Sequence, residues 1–427
     1  MFVTIGSTNK ANIVVVSREI FDHFGFLDNE VIQVQIGALQ VDVHIEKSSQ
    51  VNEADVLLPA PLMRINLPEF VKYELKYNEG VLNIGPLVGV LISKRTVSRL
   101  KNSSYRSIWE APVKEFIEES GLVYLFSEEG INFKSKTVKG FYYDGGWKEE
   151  VLPMPSAIFR RAEVKKKTIR RLKKATKGKV FNSFTMNKWK LYKSLKKEGF
   201  NKTPETVFLS ELSQVASMID RHHSIYLKPM NANFGLGCFN LFKTEEGYGL
   251  ITFRGVKHTS ETLDELLKVF QRQKLRKRYI LQQSVQSYLG NKLIDHRVIL
   301  QKNEHKKWVN TGIVSRVGLR GMIITNAVSG LYYGLEGIQE SLGLDVDETK
   351  ALYEKLVTTC ICACEIVESK GRHVGDVGID VIIDANLNIW ILEINSMQTY
   401  KLVTRAKSEI KHRILSTPLK YLRALAR

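Results

Sequence analysis

Gly378-Ile-Asp-Val-Ile-Ile-Asp-Ala-Asn-Leu-Asn-Ile-Trp-Ile-Leu-Glu-Ile-Asn395 reads as a β-hairpin whose one face carries acids. Val381 to Ile383 and Ile389 to Leu392 are apolar, β-branched runs, and Asp384, Asn386 and Asn388 between them are turn formers. If Asp384 and Ile389 close a four-residue loop, the register sets Asp380 directly opposite Glu393 on the same face. Facing carboxylates repel, so a cation is expected between them. Asn395 follows Glu393 by two residues and brings its amide oxygen to that face. Two carboxylates and a neutral oxygen, with room for phosphate oxygens and water, suit Mg²⁺. The competing reading is a solvated edge hairpin with incidental acids.

The 427 residues exceed the usual single core, so two or three structural units are expected. A composition of 44% hydrophobic and 25% charged residues is that of an ordinary soluble protein. No apolar run approaches the ~18 residues that cross a bilayer, and Met1-Phe-Val-Thr-Ile-Gly-Ser lacks the pattern of a secretion signal. A cytoplasmic protein without a membrane partner is expected. Cys238, Cys360, Cys362 and Cys364 show neither metal-site nor disulfide spacing and are expected to be buried free thiols.

The net charge of +18 is concentrated between Arg160 and Lys179, where eleven basic residues meet one acid, Glu163. Such a patch suits nucleic acid, an acidic peptide or a polyanionic substrate. The run lacks aromatics for base stacking and no nucleic-acid module surrounds it, which argues for a solvated basic helix.

Residues 1–78 alternate apolar and polar in short runs, as in Val31-Ile-Gln-Val-Gln-Ile, and predict a small β-rich, barrel-like module. Residues 79–180 read as strand, helix, strand, an α/β unit that ends in the basic segment. Beyond 181 come a helix opening at Lys188 and capped near Asn187 or Thr185, then a strand ending in Lys228. A loop with Gly235 and Gly237, a Gln-rich strand at 279–285 and the Asp295-His-Arg297 strand follow. Glycines there let backbone N–H groups approach phosphate oxygens, although the loop is neither a Walker A loop nor a dinucleotide fingerprint.

That order resembles the ATP-grasp superfamily, and within it the YheC/YheD branch described as endospore coat-associated. The resemblance runs over residues 80–400 and rests on Val180-Phe-Asn-Ser-Phe-Thr-Met-Asn-Lys-Trp, Tyr226-Leu-Lys-Pro, Ile280-Leu-Gln-Gln, Asp295-His-Arg-Val, Thr325-Asn-Ala-Val-Ser-Gly and the acidic hairpin, among other segments. It implies an α/β chain with an ATP-grasp fold over 181–427, preceded by a pre-ATP-grasp α/β unit and the β-rich module. Within it, 220–285 would be the small ATP lobe with its flap, 286–400 the Mg²⁺ and phosphate lobe, and 401–427 a C-terminal helix.

By the same resemblance Lys188 and Lys228 would contact ATP, with the flap glycines Gly235 and Gly237. Gln282, Gln283, Ser284 and Val285 would form the hinge along adenine, where backbone groups and a side-chain amide read the base edge. Asp380, Glu393 and Asn395 would hold Mg²⁺, Arg297 and Arg316 would neutralise the transferred phosphoryl group, and Asn326 would lie near the phosphates. The implied activity is an ATP- and Mg²⁺-dependent carboxylate–amine ligase working through an acyl phosphate. Its substrates are unnamed, with an acidic peptide or protein in spore formation as one class. The alternatives are a structural spore-coat protein that keeps the fold without turnover, and nucleic-acid binding through 160–179. Departures from the family pattern are Leu236 where a basic residue is usual, Asp376 for glutamate, Ser329 for a glycine, and Ser396-Met-Gln where a proline is common.

Overall fold

The computed structural model describes residues 1–427 except 60–66, 103, 186, 233, 274–277, 326 and 401. The chain divides into two units: Met1–Ser183 with Gln301–Val309 and Val403–Arg427, and Phe184–Leu300 with Asn310–Leu402.

In the first unit, strands between Phe2 and Gly85 close into a seven-stranded barrel. Its alternating residues Val14, Val16, Ile32, Val34, Ile36, Val43 and Ile45 point inward and are fully buried. Period two builds this core, because every second side chain of a strand faces the same side. Gly85-Pro86 then leads into a six-stranded sheet whose centre is the parallel set Leu87–Leu91, Leu122–Asn132 and Ala157–Arg160. Leu87–Leu91 is buried throughout, as a parallel strand covered on both faces must be. The basic segment divides. Arg160 belongs to the sheet and is buried, donating to the Ala162 and Asn182 carbonyls, whereas Lys166–Ala175 is a helix that buries Thr168, Ile169 and Leu172.

The C-terminal helix Ser408–Ala426 also belongs to the first unit. Sequence reading groups 401–427 with the ATP-grasp segment. Within the first unit the helix packs on the Glu110–Glu119 helix and the Ala157–Arg160 strand, and Tyr421 meets the Phe181 ring edge-on at 5.1 Å.

The second unit holds two sheets. One is antiparallel, in the order Thr206–Phe208, Tyr279–Gln283, Ser224–Pro229, Phe239–Thr244, Gly247–Thr252, Lys257–Ser260. Ile225, Leu227, Leu241, Leu250 and Leu281 on one face pack against Val215, Met218, Ile219, Leu266, Leu267 and Phe270 of two helices. The other sheet runs Val328–Tyr333, Trp308–Gly318, Lys292–Lys302, Asp376–Ile383, Ile389–Asn395. Near it the helix Val346–Glu368 opens with a capping box between Asp345 and Glu348. Its Cys360 and Cys364, four apart, are buried, but Cys362 between them is exposed, contrary to the expectation for all four thiols. Among the described residues no helix is long and apolar enough to cross a membrane.

Candidate functional site: the acidic hairpin and the Lys228 sheet face

The hairpin sets Asp380 opposite Glu393 and Gly378 opposite Asn395. The expected register holds at this end, but the route to it differs. Ile383, not Asp384, pairs with Ile389, and Leu392 is an extra residue on the returning strand that restores the phase. Asp384 is drawn into the turn instead. Its Oδ1 accepts the N–H groups of Asn386 and Asn388, both at 2.9 Å, and its Oδ2 the Trp390 indole N–H at 2.8 Å. A left-handed Leu387 (φ 57°) completes the reversal.

The strand beside Asp376–Ile383 is Lys292–Lys302, whose Asp295 and Arg297 share a face while His296 points to the other. Arg297 grips Asp380 through Nε and Nη2 at 2.5 and 3.0 Å. From the next strand, Arg316 donates to Asp295 at 2.7 and 2.5 Å and to Asp380 at 3.0 Å. Thr325 Oγ1 donates to Asp295 at 2.5 Å. Burial pulls the Asp380 carboxyl upward, but Arg297 and Arg316, helped by Lys188, outweigh it and hold the group below the usual carboxylate range. Burial alone would lower Arg316, yet Asp295 and Asp380 raise it, so it stays charged. Gly378 makes room for this arrangement, because a Cβ there would lie 2.5 Å from Gln398 Oε1 and 2.9 Å from Arg297 Cδ.

Lys188 opens the helix Lys188–Lys197, whose N-cap is Asn187, one of the two expected. Its Nζ donates to Glu393 at 3.2 Å and to the Ala232 carbonyl at 2.9 Å, tying the start of the flap to the hairpin. Asp295, Asp380 and Glu393 are thus balanced by Arg297, Arg316 and Lys188.

Lys228 stands apart from that balance. It shares a sheet face with Tyr226 and Gln282, and its half-buried Nζ meets the neutral Gln282 Oε1 at 2.6 Å and the Tyr226 ring at 4.8 Å. Burial pushes its ammonium below the ordinary value, with Lys188 adding to the effect. On the same face lies a cavity of about 340 Å³ lined by Ser224, Asn240, Ile251, Gln286 and Met322, among others. At the end of the neighbouring strand the Ser284 Oγ is buried without a hydrogen-bond partner among the described residues.

Along the hinge the Gln282 amide is engaged within the sheet, its oxygen accepting from Lys228 and its nitrogen donating to Thr206 Oγ1 at 3.0 Å. The N–H groups of Gln283 and Ser284 are likewise engaged, by the carbonyls of Glu205 and Ser224. Val285 is buried. Gly235 and Gly237 in the flap both take positive φ (69° and 78°), as does Phe234 (58°), and the flap exposes Phe234 and Leu236. Asn326 lies outside the described residues. Among those described, no three of His, Cys, Asp and Glu converge as a metal cluster, so a cation here would rest on two carboxylates and the Asn395 amide.

A model of the YheC/D like ATP-grasp family matches residues 177–425, well over half the chain. The chain belongs to this ATP-grasp family. Its relatives include the endospore coat-associated proteins YheD and YheC of Bacillus subtilis (strain 168). YheD is 25% identical over 391 residues, 86% of this chain and 84% of that one. YheC is 22% identical over 298 residues, 64% of this chain and 79% of that one. Among solved structures, the ATP-grasp ligase PsnB complexed with minimal precursor, Mg and ADP superposes with a TM-score of 0.47 at 13% identity, over 79% of this chain and 98% of that one. The N5-carboxyaminoimidazole synthase from Aspergillus clavatus, with ADP and 5-aminoimidazole ribonucleotide, gives 0.46 at 12% identity, over 80% and 79%. At those scores the family assignment rests on the sequence match, which spans the hairpin, both arginines and both lysines of the ATP-grasp segment.

Asp295 and Thr325 stand in motifs of the sequence without an assigned role, and Thr206 leaves no signal there; Asp295 orients Arg316 and Thr206 orients Gln282.

Proposed function

We propose that the chain is an ATP- and Mg²⁺-dependent ligase that joins a carboxylate to an amine with release of ADP, in the cytoplasm during spore formation. The observation that carries this reading is Lys228, a half-buried ammonium held by the neutral Gln282 amide and the Tyr226 ring, within electrostatic reach of Glu393 and Asp380 on the charge-balanced acidic hairpin. Such a cation is completed by an anion, and a nucleotide phosphate fits both it and the neighbouring acids through a shared divalent ion. The orphaned Ser284 hydroxyl supplies a polar group for the base end.

Asp380, Glu393 and Asn395 would hold Mg²⁺, and the bound Mg²⁺–ATP would supply an activated phosphoryl group. Phosphoryl transfer asks a protein for positioning and charge neutralisation more than for a nucleophile. Lys228 and Lys188 would neutralise phosphate oxygens, and the glycines at 235 and 237 would let backbone N–H groups approach them. Arg297 and Arg316 would orient the reacting groups, with Asp295 fixing the plane of the Arg316 guanidinium.

A second reading, a coat component without turnover, is favoured by one observation: both arginines are already neutralised by carboxylates. ATP titration with and without Mg²⁺ tests the site. Binding that needs Mg²⁺ and is lost in Glu393→Ala is expected, and binding indifferent to both removes the metal assignment. ADP release across a panel of carboxylate and amine pairs tests turnover. Mg²⁺-dependent binding with no release on any pair favours the coat reading.

A further inference from the structure

Far along the sequence from these groups, entirely within the first unit, a cavity of about 440 Å³ lies between the barrel and the basic helix. That volume falls within the ~300–1,000 Å³ of small-molecule sites. Five cations line it: Lys136, Arg171, Lys174, Lys177 and Lys179. Among the described residues no acid lines it and none of the five has a carboxylate partner. The helix dipole accounts for Lys173 and Lys174 in the last turn of Lys166–Ala175, but not for the convergence of Lys136, Lys177 and Lys179 from other segments.

The walls are fixed before any ligand arrives. The Arg171 guanidinium stacks on the Phe133 ring at 3.8 Å, which orients its fork of donors. The barrel turn at Gly37 is clamped by the Ala38 N–H on the Met154 carbonyl at 2.7 Å. Gly37 has φ 61°, and a Cβ there would lie 2.4 Å from that same oxygen, so only glycine allows the approach. Gln40 donates to Gln35 Oε1 at 2.9 Å and presents amide groups at the rim. Lys179 is half-buried, and burial together with Lys177 and Lys306 pushes its ammonium below the usual value. A preformed cleft of unpaired cations is a site that lacks its counter-charge.

We infer that this cleft binds a compact polyanion bearing two or more carboxylate or phosphate groups, either free or carried on an acidic peptide. The size of the cavity and the absence of an aromatic face left open for stacking separate it from a nucleic-acid groove, because Phe133 is already covered by Arg171.

Calorimetric titration of the full chain with tripolyphosphate, citrate and a tetraglutamate peptide at about 0.1 M ionic strength tests it. Saturable binding of at least one probe is expected, and which one binds tells phosphate from carboxylate and free from peptide-borne anions. The pair Lys174→Gln with Lys177→Gln should weaken it at least tenfold with an unchanged melting temperature. The pair Lys166→Gln with Arg170→Gln, on the same helix but outside the cavity, should leave it within twofold. Absence of binding by all three probes overturns the proposal, as does equal weakening by both pairs. So does affinity that grows with the length of a single-stranded oligonucleotide while the small anions fail to compete.

Discussion

Arg297 holds Asp380 with two parallel hydrogen bonds, Nε to Oδ1 at 2.5 Å and Nη2 to Oδ2 at 3.0 Å. A bidentate, poorly exposed pair is the strong form of an ion pair, and breaking one by truncation costs about 3–5 kcal/mol because a buried charge is left behind. Arg316 also donates to Asp380, so Arg297→Ala is expected near the lower end of that range by urea unfolding. Arg297→Lys, which keeps the charge without the fork, should recover only part of the loss. A change below about 1 kcal/mol would show that Arg316 alone suffices.

Asp295 neutralises Arg316 from the opposite side and accepts the Thr325 hydroxyl. Asp295→Ala should therefore destabilise by about 3 kcal/mol. The double variant with Arg316→Ala should lose less than the sum of the two single losses, since the Asp295–Arg316 pair is broken only once. A double variant whose loss equals the sum of the two singles would show that the residues act independently.

His296 is fully buried, with Nδ1 2.9 Å from Ser315 Oγ and Nε2 without a partner among the described residues. Burial pushes its pKa down to about 4. The folded value lies below the unfolded one of about 6.5, so between the two pH values the unfolded chain binds the extra proton. The stabilisation is complete above pH ~6.5 and lost as pH falls toward 4, by roughly 3 kcal/mol in all. Urea midpoints at pH 7 and 5 should fall further for the native chain than for His296→Leu. Parallel profiles would mean that His296 takes up its proton without unfolding.

Gly378→Ala tests the space that Arg297 occupies. The added methyl would press on Gln398 Oε1 and Arg297 Cδ, and displacing packed side chains costs about 1–3 kcal/mol. The variant should lose that stability and, under the proposed function, also bind Mg²⁺–ATP more weakly, because the Arg297–Asp380 pair must shift. Unchanged stability would show that Gln398 moves aside at no cost.

The hairpin was legible because alternation and turn chemistry act between near neighbours. Asp380, Glu393 and Asn395 follow from period two, and the barrel-like start from short alternating runs. The turn is less legible: a four-residue loop pairs Asp384 with Ile389, yet the Asp384 carboxylate gains more from three turn donors, and Leu392 absorbs the shift as a bulge. The bond of the Gln282 amide to Thr206, 76 residues away, has no local signal.

By itself, then, the sequence determined which residues alternate toward a core, where helices are capped, which acids face each other across one hairpin, and membership of a family. Tertiary structure alone decided that Arg316 bridges Asp295 and Asp380, that Lys228 meets the Gln282 amide, and that Lys136 joins the cations of the basic helix around one cleft. The reason is range. Backbone periodicity and turn propensity act over a few residues, whereas a charge finds its partner through sheet order, which sets Trp308–Gly318, Lys292–Lys302 and Asp376–Ile383 side by side across gaps that no local pattern encodes.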